Sequence, residues 1–133
     1  MANWNDATIK EFHSKEGKGV GPFGDRLMLL TTVGARSREE RISPLMYHRD
    51  GERYIVVASK GGAPDNPAWY LNLKANPDAT IEIGRDSYPV TATEATDGDR
   101  EQLWRKMTAV YPTYDEYQKK TTRRLPVLRL TRR

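Results

Sequence analysis

The chain has 133 residues, enough for one compact domain and too few for two ordinary ones. Its 37% hydrophobic and 30% charged residues belong to a globular rather than a disordered protein, and no apolar run approaches the ~20 residues of a membrane span. Cysteine is absent, which removes disulfides, thiolate nucleophiles and Cys-ligated metals, while the net charge of +4 suits an anionic partner or a simply well-solvated surface.

Met1 to Asp6 lacks the charged start and apolar core of a secretory signal, so a cytoplasmic location is the expectation. Residues 3–16 are polar, with Trp4, Ile9 and Phe12 as sparse apolar positions. They predict a weakly amphipathic helix, or a segment that orders only against a partner. We read residues 1–20 as a loosely ordered start to a single domain spanning 1–133. A glycine-rich connection follows, then the apolar run Leu27 to Leu30 leading into Thr31-Thr32, fit for a buried strand.

Gly34 ends that strand, residues 35–41 form a polar turn, and Ser43 to His48 rebuild a strand. Asp50-Gly51 marks a hairpin into Tyr54 to Ala58. After a glycine-rich loop, Asn66-Pro67 reads as a helix cap followed by proline at the first helical position, with the helix reaching about Ala75. Two half-buried strands around Arg85-Asp86 come next. Thr96 to Asp99 then resembles a capping signal for a helix burying Leu103, Met107 and Val110, with Arg100 and Trp104 at its edges. Tyr111-Pro112 breaks that helix, Thr113-x-x-Glu116 caps another, and residues 126–130 close the chain as a strand. The lack of regular strand–helix alternation argues against a parallel doubly wound sheet. The expectation is an α+β fold: a mainly antiparallel sheet curled into a small barrel, with peripheral helices.

His13 and His48 have no partner at metal-ligand spacing and read as surface residues, so no metal site is expected. Neither a Gly-x-Ser-x-Gly elbow nor a phosphate loop nor a dinucleotide fingerprint is present. An enzyme of this composition would take its chemistry from a bound cofactor. Two turns have the makings of an anion site. One carries Arg36, Ser37, Arg38 and Arg41, and the other is Ser59-Lys60-Gly61-Gly62. Each is equally readable as an ordinary solvated turn. Tyr111, Tyr114 and Tyr117 recur every third residue, forming either an aromatic core stripe or a flat wall for a planar ring. Basic and aromatic residues are not arranged as a nucleic-acid recognition motif.

Together these segments resemble the deazaflavin-dependent nitroreductase family, which uses coenzyme F420 on a split β-barrel fold related to FMN-binding barrels. The resemblance runs from about Gly21 to Leu130. It is carried by Leu30-Thr31-Thr32-Val33-Gly34, Arg41-Ile42-Ser43-Pro44-Leu45, Ala58-Ser59-Lys60-Gly61-Gly62, the distinctive Asn66-Pro67-Ala68-Trp69-Tyr70-Leu71-Asn72-Leu73, and Tyr111 to Tyr117. It implies phosphate and tail contacts at Arg36, Ser37, Arg41 and Lys60, flanked by Ala35 and Ile42. Ser43, Pro44, Leu45 and Met46, with Val57, Ala58 and Ser59, would line the deazaflavin ring. Ala68, Trp69, Tyr70, Leu71 and Asn72 would close over it from the helix. Ser59 and Tyr114 are the candidate catalytic groups, and Tyr111, Tyr114 and Tyr117 the candidate acceptor pocket.

The resemblance implies an oxidoreductase passing hydride from reduced F420 to a quinone or nitroaromatic acceptor. FMN chemistry and a non-catalytic deazaflavin carrier remain the alternatives. A quinone acceptor would make the basic tail, Arg123 to Arg133, and the N-terminal segment a device for peripheral membrane contact. The sequence leaves the oligomeric state open. Arg38 stands where the family commonly has glycine, which implies strain if the turn needs a positive φ.

Overall fold

The computed structural model describes residues 4–133, except the side chains of Trp4 and Pro22. In chain order the elements are α1 (Trp4–Ser14), β1 (Leu27–Val33), β2 (Glu40–Met46), β3 (His48–Asp50), β4 (Arg53–Val57), α2 (Ala68–Ala75), β5 (Asp78–Ile83), β6 (Asp86–Glu94), α3 (Asp97–Val110), α4 (Thr113–Lys119) and β7 (Val127–Arg132). Single 3-10 turns at Gly21–Phe23 and Lys60–Gly62 interrupt the loops.

All seven strands pair antiparallel in the order β2-β1-β5-β6-β7-β4-β3. Only Tyr47 separates β2 from β3, so one bent strand supplies both edges and the sheet curls round to meet itself. Between β2 and β4 there is no strand pairing, and the barrel is split there. The bend is pinned from outside: the Tyr111 hydroxyl donates to the Tyr47 carbonyl at 2.7 Å. Pro44 has no N–H to give, and its place on edge strand β2, opposite Leu29, costs no ladder bond on the open side.

The sheet has apolar cover on both faces, which explains its unbroken apolar runs. Met28 and Leu30 of β1 turn into the barrel interior, whereas Leu27 and Leu29 pack outward with Phe12 and Val20. Strand β4 divides likewise. Tyr54 and Val56 join the interior, and Ile55 and Val57 pack under α3 and α4 with Leu103, Met107 and Leu125. Burying each such side chain contributes about 1.5–3 kcal/mol, so α1 and the α3–α4 pair cover the outer face rather than decorate it.

Several expected boundaries move. Strand β2 begins at Glu40, so Glu40 and Arg41 leave the expected turn and join the sheet. Asn66 does not cap α2. Pro67 occupies the cap position and Asn66 instead accepts a hydrogen bond from Arg123 at 2.9 Å. Thr113 lies inside α4, behind Pro112, and makes no side-chain cap. Arg100, expected at a helix edge, is buried: it donates to the Leu125 carbonyl at 2.7 Å and stacks 5.1 Å from the Trp104 ring. The stem of an arginine buries as apolar surface does, provided its guanidinium finds acceptors.

The basic tail is engaged with the protein itself. Arg123 reaches back into the loop after β4, Arg124 pairs with Glu101, Arg129 with Asp99 and Arg133 with Asp78. Arg132 donates to the Tyr54 hydroxyl and lies 3.9 Å over the Tyr88 ring. Among the described residues no helix is long and apolar enough to cross a membrane.

Candidate functional site

Two cavities lie next to each other along β2 and share lining residues. The first, of about 720 Å³, is bounded by Gly34, Ala35, Arg36, Ser37, Arg41, Ile42, Leu71 and Asn72, with Asn5, Asp6 and Ile9 of α1 above. The second, of about 830 Å³, sits in the split of the barrel. Pro44, Leu45 and Met46 form one wall, Val57, Ser59 and Lys60 another, and Tyr111, Tyr114 and Tyr117 a third. Asn5, Ser43, Ala68 and Trp69 border both, marking the passage between them. Each cavity falls in the range of small-molecule and cofactor sites, ~300–1,000 Å³, and in line they suit a long ligand with dissimilar ends.

The first cavity is built around a turn. Gly34 N–H bonds the Glu39 carbonyl at 2.7 Å and Arg38 N–H the Gly34 carbonyl at 3.0 Å, closing the loop between β1 and β2. Buried Asn72 fixes it from α2, accepting from Ala35 N–H at 2.9 Å and donating to Thr32 Oγ1 at 3.0 Å. Asn72 thus acts on the turn rather than presenting its amide to the cavity. Arg41 pairs with Glu39 at 3.2 Å, both side chains more than half exposed, and such surface pairs contribute so little that a ligand phosphate can displace the carboxylate. Glu40 and Asp6 also border the cavity, so Arg36 and Arg41 set a local rather than a general positive field. Arg38 does have a positive φ, +62°, as its replacement of a glycine implied. Arg38→Gly is therefore expected to stabilise the protein by about 0.5–1 kcal/mol, and a thermal melt will show a rise of a few degrees.

The second cavity takes its chemistry from tyrosines. The rings of Tyr111, Tyr114 and Tyr117 meet edge to face at 5.9 and 6.0 Å, placing all three on one side as their spacing predicted. Their hydroxyls differ in role. That of Tyr111 is committed to Tyr47, so Tyr111 is a wall. The Tyr114 hydroxyl takes no hydrogen-bond partner among the described residues. Burial raises its pKa well above the ordinary tyrosine value, with neighbouring Tyr111 and Tyr117 adding to the effect. It is held as a neutral donor facing the cavity.

Ser59 and Lys60 enter this cavity on a loop that Arg123 organises. One guanidinium donates to the carbonyls of Ala58 (3.1 Å), Ser59 (2.8 Å) and Ala63 (2.9 Å) and to Asn66 Oδ1 (2.9 Å). Lys60 has a positive φ of +47°, unusual for a residue with a Cβ and common at ligand-binding turns. Gly62 packs under α4 at φ +84°, where a Cβ would lie 2.6 Å from the Tyr117 carbonyl, so the loop and the tyrosine helix touch backbone to backbone.

Of the residues expected at the site, all but two line one cavity or the other. Tyr70 turns inward instead, joining the barrel core and donating to Glu94 at 2.5 Å; burial first, then that carboxylate, push its pKa up to about 12. Ala58 is fully buried in the same core. Residues of α1 and Phe23 line the cavities without having been expected there, and a polar N-terminal helix carries no local signal of that role. Among the described residues no three His, Cys, Asp or Glu side chains are placed to hold a metal.

The same elements recur in known proteins. The family model for the F420H(2)-dependent quinone reductase matches residues 4–132. This chain belongs to that family. The F420H(2)-dependent quinone reductase Rv1261c of Mycobacterium tuberculosis is 45% identical over 132 residues, covering 97% of this chain and 88% of the relative. A solved F420-H2 dependent reductase, FDR-A, superposes with a TM-score of 0.73 at 42% identity, over 79% of this chain and 93% of that one. HutZ of Vibrio cholerae shares the fold alone, with a TM-score of 0.62 at 16% identity over 97% of this chain and 90% of that one. The fold is a split β-barrel and the family makes the chain an F420H2-dependent reductase. FMN is not needed to account for it.

Proposed function

We propose that the protein reduces a quinone with hydride from F420H2, binding the deazaflavin ring in the tyrosine-walled cavity and the anionic tail against the Arg36–Arg41 turn. The observation that carries this reading is the joining of an aromatic cavity to an arginine-bordered one through the Ser43–Trp69 passage. Bound F420H2 supplies two electrons as hydride, and no side chain has to form a covalent bond with the acceptor.

The chain's own residues bind, orient and donate. Arg36 and Arg41 offer planar forks suited to phosphate and carboxylate oxygens, and Lys60 adds a mobile charge on the other side of the passage. Trp69, 7% exposed, borders both cavities and offers an apolar surface against a bound ring. Tyr111 and Tyr117 hold a planar acceptor against the ring. The Tyr114 hydroxyl donates to the acceptor oxygen as negative charge develops there, with the Ser59 hydroxyl as a second donor. A nitroaromatic offers the same flat, electron-poor ring with oxygens at its rim and fits the same wall.

The test is a titration with F420H2 followed by addition of menadione, monitored by cofactor absorbance. Fast oxidation dependent on the protein supports the reading; binding without turnover would mark a carrier instead, and repeating the assay with a nitrobenzene derivative sets the breadth of the acceptor class. Tyr114→Phe is expected to lower kcat about 100- to 1,000-fold, the worth of one donor to a developing oxyanion, without unfolding the protein. Because the phenol's pKa is raised, its proton is retained through neutral and mildly alkaline pH. The wild-type rate should therefore show no alkaline loss below pH ~10 attributable to Tyr114. A downturn near pH 8 that the Phe variant abolishes would contradict this.

A further inference from the structure

Charge is distributed unevenly around the two cavities. The first sets Asp6 and Glu40 against Arg36 and Arg41. Among the described residues no carboxylate lines the second, and its one charged lining side chain is the cation Lys60. Two further cations stand against the tyrosine wall. The Arg26 guanidinium lies 5.6 Å from the centroid of the Tyr111 ring, and the Lys120 ammonium 5.7 Å from that of Tyr117. The anionic tail of F420 is assigned to the first cavity, so it accounts for neither of them.

The backbone fixes both positions. Arg26 N–H donates to the Phe23 carbonyl at 3.2 Å, and the Arg26 carbonyl accepts from Tyr47 N–H at 3.3 Å, beside the bend between β2 and β3. Lys120 N–H bonds the Tyr117 carbonyl at 3.1 Å, across from Gly62 of the Ser59 loop. Both side chains are exposed, and among the described residues neither forms an ion pair. The carboxylates nearest to them in sequence are engaged elsewhere. Asp25 accepts from Gly19 N–H at 2.9 Å, Asp115 from the Trp104 indole at 3.2 Å, and Glu116 pairs with Lys119 at 3.3 Å. The Arg26 charge is felt at the wall: burial raises the pKa of the Tyr111 phenol, and Arg26 opposes that rise.

A cation resting on an exposed ring gains less there than from a charge-assisted hydrogen bond to an anion. An acid group meeting Arg26 or Lys120 would stay at the rim in contact with water, and so escape the desolvation that a buried ion pair must overcome. The flat part of the same molecule would lie against the tyrosine rings. A cleft bordered by charge of one sign also draws in counter-ions and raises their encounter rate. We propose that the preferred acceptor is a quinone carrying an ionised acid group, a carboxylate or sulfonate, beside its ring, and that Arg26 and Lys120 select it over neutral quinones. The proposal rests on the quinone-reductase reading above and names the acceptor class for that site. The acid group is a spectator, unchanged when the quinone takes up hydride and a proton to become the hydroquinone.

The test measures steady-state oxidation of saturating F420H2 by menadione and by a naphthoquinone sulfonate. The wild type is compared with the double variant Arg26→Gln, Lys120→Gln. Taking the ratio of kcat/KM for the two acceptors in each protein cancels the intrinsic reactivity of the quinones. The double variant should raise KM for the sulfonate about tenfold and leave that for menadione within about twofold. Its affinity for F420 and its melting temperature should match the wild type. Added salt should lower the wild-type kcat/KM for the sulfonate and not for menadione. The charge-conserving double variant Arg26→Lys, Lys120→Arg should keep the wild-type ratio. A ratio that is the same in the glutamine variant as in the wild type overturns the proposal and leaves quinone reduction intact. Equal loss with both acceptors means that the tyrosine wall has shifted, and weaker F420 binding at an unchanged ratio means that the cations serve the cofactor; either overturns it. A wild-type protein that binds F420H2 and passes hydride to neither quinone overturns the quinone reading and this proposal together.

Discussion

Replacing Arg36 and Arg41 together by glutamine is expected to raise the dissociation constant for F420 by about 100- to 10,000-fold. Each arginine can make charge-assisted hydrogen bonds to a phosphate or carboxylate, and losing one such contact costs roughly 1.5–3 kcal/mol. Both side chains border the same cavity, Arg36 from the turn and Arg41 from the start of β2, so a single anionic group can bridge them. Arg41 has only an exposed Glu39 to leave, and that exchange costs little. The affinity of the wild type should fall with added salt, and the double variant should lose most of that dependence. A deazaflavin fragment without phosphate should bind wild type and variant alike. Equal loss for both ligands would instead mean that the turn itself had collapsed, and a ligand-free melt separates the two cases.

Arg123→Ala is expected to lower the melting temperature by roughly 10 °C, corresponding to about 2–4 kcal/mol for a domain of this size. Four acceptors depend on one guanidinium, three of them main-chain carbonyls that have no freedom to turn elsewhere. The loop so released carries Ser59, strained Lys60 and Gly62, so F420 affinity should fall with stability. Arg123→Lys should recover only part of both losses, because a single ammonium cannot fork to four separated acceptors. A lysine variant as stable as the wild type would show that one charge, rather than the planar fork, is enough.

Most of the architecture was legible because its signals are local. The run from Leu27 to Leu30 announces a buried strand, Asp50-Gly51 a hairpin and Pro112 a helix break, and each lies where its chemistry puts it. The three tyrosines at and within α4 were legible for the same reason, since a three-residue spacing keeps Tyr111, Tyr114 and Tyr117 on one side. Arg38 was legible as strain because one residue type stood where φ favours another. Tyr70 was not: it lies in the barrel core, whereas its neighbour Leu71 is half exposed at the first cavity. A helix offers every face to some environment, and only the position of the barrel decides which side is core.

The arginines show the limit most clearly. From composition, Arg123 and Arg132 are two charges in a basic tail; in the fold one clamps a loop some sixty residues away in sequence and the other covers Tyr54 and Tyr88. Nothing within a few residues of either encodes the partner. The sequence by itself determined the strands, the helices, the family and which residue types were available for anion and aromatic contacts. Only the tertiary structure decided that one bent strand supplies both edges of the sheet, that the split between them becomes the tyrosine-walled cavity, and that α1 borders both cavities. The physical reason is range: propensity and periodicity act over a few residues, whereas a cavity is the space left between segments that meet only when the chain is folded.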